Sequence, residues 1–108
     1  MGVQRMVLRA GAGATPRVGA KVTVHCTGFV TNGMKKFWST LDTNEPFSFV
    51  IGRGQVIRGW DDGVMQMQVG EEADLVMTSD FGYGPKGFPA WGIPPDAGLT
   101  FRVQLLAC

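Results

Sequence analysis

Apolar and polar residues alternate along much of this chain, and a two-residue period predicts strands with one buried face. The pattern is clearest from Lys21 to Val30, where Val22, Val24 and Cys26 fall on one face and Thr23, His25 and Thr27 on the other. It returns at Phe47, Phe49 and Ile51, set between Ser48 and Val50, and again at Ala73, Leu75 and Met77. Leu99, Phe101, Val103 and Leu105, spaced by Thr100, Arg102 and Gln104, predict a final strand. Val3–Leu8 and Lys36–Ser39 read as two shorter ones. Turn chemistry divides these runs: a Gly-, Ala- and Pro-rich stretch over residues 10–19, Thr31-Asn32-Gly33 of the hairpin kind, and a loop from Asp42 to Pro46.

The period changes once. Ile57, Trp60, Asp61, Val64 and Met65 fall at i, i+3, i+4, i+7 and i+8, which predicts a short helix with one apolar face, over by Gly70. Gly59 and Gly63 each weaken such a helix by about 1 kcal/mol against alanine, so packing must hold it. No period is visible from Ser79 to Gly98. That segment carries Pro85, Pro89, Pro94 and Pro95 with the aromatics Phe81, Tyr83, Phe88 and Trp91, and long ordered loops of this kind are often functional. Strands never alternate with helices as a parallel sheet requires. The expectation is an α+β fold, with five or six antiparallel strands curled around one short helix, forming a single domain over residues 1–108.

Composition narrows the function. A chain of 108 residues with 44% hydrophobic and 18% charged residues fits one soluble globular domain. No apolar run approaches the roughly 20 residues of a membrane span. Arg5 and Arg9 interrupt the first ten residues, which argues against a signal peptide. Met1-Gly2 is followed by Met6 where myristoylation wants Ser or Thr, and the terminal Cys108 is no prenylation box. The expected location is cytoplasmic and the expected state a monomer. A net charge of +1, with the charges scattered, argues against a nucleic-acid surface. Cys26 and Cys108 are two isolated cysteines without metal spacing, and His25 is the single histidine, so neither a disulfide framework nor a zinc site is expected.

Catalytic constellations are missing as well: there is no nucleophile elbow, no second histidine and no phosphate loop. Asp61-Asp62 reads as acids favoured by the helix dipole, since adjacent helical residues point apart. His25 reads as a strand residue with a satisfied hydrogen bond. Aromatics remain, namely Phe37, Phe47, Phe49, Trp60, Tyr83, Phe88, Trp91 and Phe101. As core residues they would be many for a domain this small. A concave apolar site with few polar groups is the general form of a small-ligand pocket.

Four segments, in order along nearly the whole chain, resemble the FK506-binding-protein (FKBP) type of prolyl isomerase. They are Val24-His25-Cys26-Thr27-Gly28, Phe47-Ser48-Phe49 with Ile51-Gly52, Val56-Ile57-Arg58-Gly59-Trp60-Asp61-Asp62-Gly63-Val64, and Asp80-Phe81-Gly82-Tyr83-Gly84 followed by Ile93-Pro94-Pro95. The resemblance implies a pocket between helix and sheet. Trp60 would be its floor, with Phe37, Phe47, Phe49 and Phe101 as walls and Val56 and Ile57 at the rim. The N–H of Ile57 and the hydroxyl of Tyr83 would hold ligand carbonyls, with Phe88 and Ile93 on the loop side. It also implies catalysis by Trp60, Tyr83, Phe37, Ile57 and Phe101 on X–Pro peptides, with no cofactor and no metal. FK506 and rapamycin would share the pocket and bridge to calcineurin or TOR kinase.

The chain departs from the commonest pattern at three positions. Cys26 stands where tyrosine is usual and Trp38 where aspartate is usual, each removing a polar contact on the pocket side. Thr43 replaces an arginine that often anchors that aspartate. The segments around Phe37-Trp38 and Phe88–Gly92 resemble plant and green-algal members. The competing readings are a non-catalytic binding module of the same fold and, against the near-neutral charge, a barrel that stacks single-stranded nucleic acid on its aromatics.

Overall fold

Six strands pair antiparallel in the computed structural model, which describes residues 2–108; Met1 of the Met1-Gly2 start lies outside them. They are β1 (Val3–Arg9), β2 (Lys21–Val30), β3 (Lys35–Ser39), β4 (Phe47–Val50), β5 (Glu72–Met77) and β6 (Leu99–Ala107). The order across the sheet is β1-β5-β6-β2-β3, and β4 also pairs with β2. Each expected strand is present, and the antiparallel sheet around one main helix is the expected α+β fold.

Alternation decides which face is buried. Val22, Val24, Cys26 and Val30 of β2 join Ala73, Leu75 and Met77 of β5 and Leu99, Phe101, Val103 and Leu105 of β6 in one core. On the opposite face the register sets Asp74 beside Arg102, and the guanidinium donates two bonds of 3.0 and 3.2 Å to the carboxylate.

The helix, α2 (Arg58–Val64), is shorter than the periodicity suggests. Its buried face is Gly59, Trp60, Gly63 and Val64, and Ile57 lies outside it as the N-terminal capping residue. Two glycines one turn apart explain this choice. A Cβ on Gly63 would stand 2.9 Å from Leu75, and one on Gly59 would overlap Met77. The helix backbone therefore lies directly on β5, and Trp60 is pressed into the sheet. The propensity lost at these glycines is the condition for that close approach.

One element was not expected. Thr40–Thr43 forms a single helical turn, α1, capped by the Ser39 hydroxyl, which accepts from the N–H of Leu41. β3 pairs with residues 27–30 of β2, and β4 pairs with residues 21–24. Between them the edge of β2 has no strand partner at His25 and Cys26. α1 covers that gap, because the Thr40 hydroxyl accepts from the Cys26 N–H at 2.9 Å and donates to the Cys26 carbonyl at 3.3 Å. His25 Nδ1 lies 2.9 Å from the same hydroxyl, so the histidine is a satisfied strand residue. Thr43 bonds within α1, its hydroxyl donating to the Thr40 carbonyl.

Candidate active site

A cavity of about 400 Å³ opens between α2 and the concave face of the sheet. Trp60 lies at its base, 3% exposed. The rings of Phe101, Phe47, Phe49 and Trp38 surround that indole at centroid distances of 5.2, 5.7, 5.6 and 5.9 Å. Its N–H is enclosed and meets no acceptor among the described residues, so Trp60 offers the cavity a ring face and not a hydrogen bond.

The walls come from five segments. Phe47 stands on β4, Phe101 on β6 and Trp38 on β3, while Gln55, Val56 and Ile57 come from the loop entering α2. Asp61 shapes that loop. Its carboxylate accepts the N–H groups of Gly52 at 2.9 Å and Gly54 at 3.0 Å, so it latches the loop more than it serves the helix dipole. Asp62 faces outward and pairs with Arg58 at 3.5 Å. The far wall is Tyr83 and Trp91, from the segment between β5 and β6. That segment contains three tight turns, Ser79–Phe81, Gly84–Lys86 and Pro89–Trp91, which carry no periodicity a sequence could display.

Seven of the twelve residues expected at the site line the cavity: Trp38, Phe47, Val56, Ile57, Trp60, Tyr83 and Phe101. Four others stand one layer behind. Phe49 packs under Trp60, and Phe37 meets Phe101 edge-on at 5.7 Å and stacks on Trp91. Phe88 stacks on Tyr83 at 5.2 Å, and the buried Ile93 pairs its backbone with Phe88. The twelfth, Cys26, stays 1% exposed within the core and does not reach the lining.

Gln55 and Trp91 are lining residues that sequence reasoning left out. Gln55 sits in a loop with no period, its side-chain carbonyl accepting from the Val50 N–H at 3.1 Å. The signal available for Trp91 was its place in an aromatic-rich irregular segment.

A β-bulge brings Phe37 and Trp38 to the same side. Gly28 pairs with Trp38 and Phe29 with Lys36, so Phe37 has no partner on β2. In a regular strand these neighbours would point to opposite faces; the extra residue re-aims one of them. Both rings then stack on Trp91. Gly28 leaves the space: a Cβ there would stand 2.7 Å from both the Phe37 and the Phe101 rings.

The electrostatics of the lining are simple. Among the described residues no charged side chain lines the cavity. The Ile57 N–H, ahead of the first helical turn, has no acceptor among the described residues, as expected of a helix start. The Tyr83 hydroxyl likewise makes no hydrogen bond to a described residue, and burial raises its pKa, so it remains a protonated donor at neutral pH. Burial also pushes the Cys26 thiol far above its ordinary value, leaving no thiolate to react. In the native protein a thiol reagent should modify the exposed Cys108 and reach Cys26 only after denaturation. Mass analysis of the labelled peptides checks this, and equal rates at both sites would contradict the buried placement.

Comparison with known proteins agrees with this geometry. The sequence profile of the family described as FKBP-type peptidyl-prolyl cis-trans isomerase matches residues 13–106. A peptidyl-prolyl cis-trans isomerase FKBP12 from Arabidopsis thaliana is 54% identical over 110 residues, covering 99% of this chain and 98% of the relative. Peptidyl-prolyl cis-trans isomerase Fkbp12 from Drosophila melanogaster is 51% identical, with 98% and 97% covered. FK506-binding protein 1 from Dictyostelium discoideum is 49% identical with the same coverage. With the sheet, the helix and the aromatic cavity all in place, the chain belongs to the FKBP-type peptidyl-prolyl cis-trans isomerases.

Proposed function

We propose that the aromatic cavity over Trp60 is where this isomerase turns the X–Pro bond. The observation that carries the reading is an uncharged aromatic lining that leaves two donors, the Ile57 N–H and the Tyr83 hydroxyl, without protein partners among the described residues.

Amide resonance sets a rotation barrier of about 18–20 kcal/mol, and uncatalysed X–Pro exchange takes tens to hundreds of seconds. No bond must break. The protein needs only to bind the twisted amide more tightly than either planar form, and each 1.36 kcal/mol of that preference is worth about tenfold in rate. Twisting removes resonance, and the carbonyl becomes less polar. A dry aromatic wall therefore disfavours the planar, more polar amide relative to the twisted one. The proline ring packs on Trp60 between Phe47 and Phe101. The Ile57 N–H and Tyr83 hydroxyl fix flanking carbonyls, so rotation is confined to one bond.

FK506 would occupy the same cavity, a reading supported by the name of the Dictyostelium relative, and rapamycin would share it. The drug-bound protein would then present a composite surface to calcineurin or TOR kinase. Trp38 makes part of that rim aromatic where the resemblance leads one to expect aspartate. The reading takes the working form to be a monomer and places it in the cytoplasm. No helix among the described residues is long and apolar enough to cross a membrane.

Isomerase assays on a proline tetrapeptide, with and without FK506, test the assignment. Activity abolished by stoichiometric drug supports it; activity indifferent to drug sinks it. Tyr83→Phe should lower kcat/KM about five- to tenfold, the worth of one hydrogen bond. Because the Tyr83 pKa is raised from an already high value, the rate should stay flat from pH 6 to 9. A bell-shaped profile in that window would point to an acid–base pair that this mechanism does not contain.

A further inference from the structure

The turn between β2 and β3 carries an Asn-Gly pair that the cavity does not use. Met34 closes this turn, its N–H donating to the Thr31 carbonyl at 3.1 Å. Asn32 and Gly33 are the two central residues, both exposed, and Gly33 has φ 82°. The Gly33 N–H makes no hydrogen bond to a described residue. Nothing crowds it either: a Cβ on Gly33 would meet only the Lys35 side chain, at 3.8 Å.

Two related sites in the chain are protected. Asn44, the other asparagine, precedes Glu45, whose N–H is bound to the Thr40 carbonyl at 3.2 Å and is flanked by a long side chain. Asp62-Gly63 lies inside α2, with Gly63 packed against Leu75. Of the three, Asn32 alone combines an exposed side chain with an open, unbonded N–H on the residue that follows it.

We propose that Asn32 is a modification site: it deamidates spontaneously in the folded protein and leaves an isoaspartyl linkage in the turn. Water is the co-reactant. The Gly33 nitrogen gives its proton to solvent and attacks the Asn32 side-chain carbonyl carbon, an intramolecular step favoured by proximity. The new N–C bond closes a cyclic imide, and the side-chain nitrogen takes up a proton and leaves as ammonia. Water then opens the ring, so one water is consumed, one ammonia is released and no atom changes oxidation state. Opening at the side-chain carbon gives aspartate on a normal backbone. Opening at the main-chain carbon gives the isoaspartyl form, whose backbone is one methylene longer. Either product places a carboxylate near Lys35, which shares a surface groove with Asn32. The longer backbone also breaks the closure of Met34 on Thr31, directly before Lys35 pairs with Val30. β3 carries Phe37 and Trp38, so the change is transmitted toward the cavity wall.

The test incubates the folded protein at mildly alkaline pH and reads its peptides by mass and by labelling with an isoaspartyl-specific methyltransferase. Asn32 should deamidate at least about tenfold faster than Asn44, where the hydrogen bond of the Glu45 N–H must first be broken. Asn32→Gln should abolish the labelling, because its longer side chain must close a larger ring. In the isoaspartyl form, resolved by chromatography, the Met34 amide should exchange about tenfold faster than in the wild type. Asn32→Asp adds the same charge on a normal backbone and should keep the wild-type exchange rate. An unlabelled wild type, conversion of Asn32 only in urea, or equal rates at Asn32 and Asn44 would overturn the proposal. Equal Met34 exchange in the isoaspartyl form and in Asn32→Asp would overturn the effect assigned to the longer backbone.

Discussion

Trp60→Ala is expected to lose about 3–5 kcal/mol of stability and to lower kcat/KM on a proline peptide by about two orders of magnitude. The two losses have different origins. Stability falls because the indole is 3% exposed and touches Phe47, Phe49, Trp38 and Phe101, so its removal leaves a void between helix and sheet. For a domain of this size the melting temperature should drop by roughly 20 °C. Activity falls because the surface under the proline ring is gone and the surrounding rings can collapse into the void. Trp60→Leu separates the effects: it returns much of the buried volume and should recover about half of the lost stability, while the flat floor stays absent. Thermal melts and low-temperature isomerase assays on both variants check this. A Trp60→Leu protein with wild-type kcat/KM would remove Trp60 from the mechanism and leave it as core.

How much of this arrangement is legible in the sequence depends on the range of the interactions that create it. β2 and β6 are visible because each carries its whole signal in its own two-residue period, and the buried set Val22, Val24, Leu99, Phe101, Val103 and Leu105 follows directly. Trp60 is ambiguous by period alone, as a ring on one helix face, and becomes the floor only through the run Val56–Val64. The bulge at Phe37 is different. It is a property of the pairing between β2 and β3, and period-2 reasoning sends Phe37 and Trp38 to opposite faces. Cys26 shows the same limit. Its place in a family segment suggests the pocket, yet the cavity lining does not include it, and Thr40 covers its backbone. α1 is too short to display a helical period, and its role in filling the gap between β3 and β4 appears only once both are placed on one edge. Trp91 lies where no period exists, and its position depends on the pairing of Phe88 with Ile93. Local patterns thus give the scaffold and the floor, while the walls come from contacts between segments.

Gly87→Ala should destabilise the loop wall by about 3 kcal/mol. Gly87 has φ 63° and ψ −155°, a region essentially reserved for glycine. Its space is also closed: a Cβ would overlap the Ile93 carbonyl oxygen and stand 2.6 Å from the carbonyl carbon and oxygen of Pro94. Those atoms are backbone, so no side chain can swing aside. Relief requires the stem to open, which breaks the Phe88–Ile93 pairing and releases Trp91 from Phe37 and Trp38. Hydrogen exchange reads this directly, because the amides of Phe88 and Ile93 donate to each other's carbonyls. Both should exchange about a hundredfold faster in the variant. Gly92 in the same loop provides the control. It too has a positive φ, 71°, but with ψ 23° it lies in the left-handed helical region, and a Cβ there would meet nothing within 4 Å. Asparagine tolerates that conformation, so Gly92→Asn should stay within about 1 kcal/mol of the wild type. If both substitutions cost the same, the penalty lies in backbone conformation alone and the tight stem contributes nothing. A loss confined to Gly87→Ala, with the Phe88 and Ile93 amides deprotected, assigns the rigidity of the aromatic wall to the contact of Gly87 with Ile93 and Pro94.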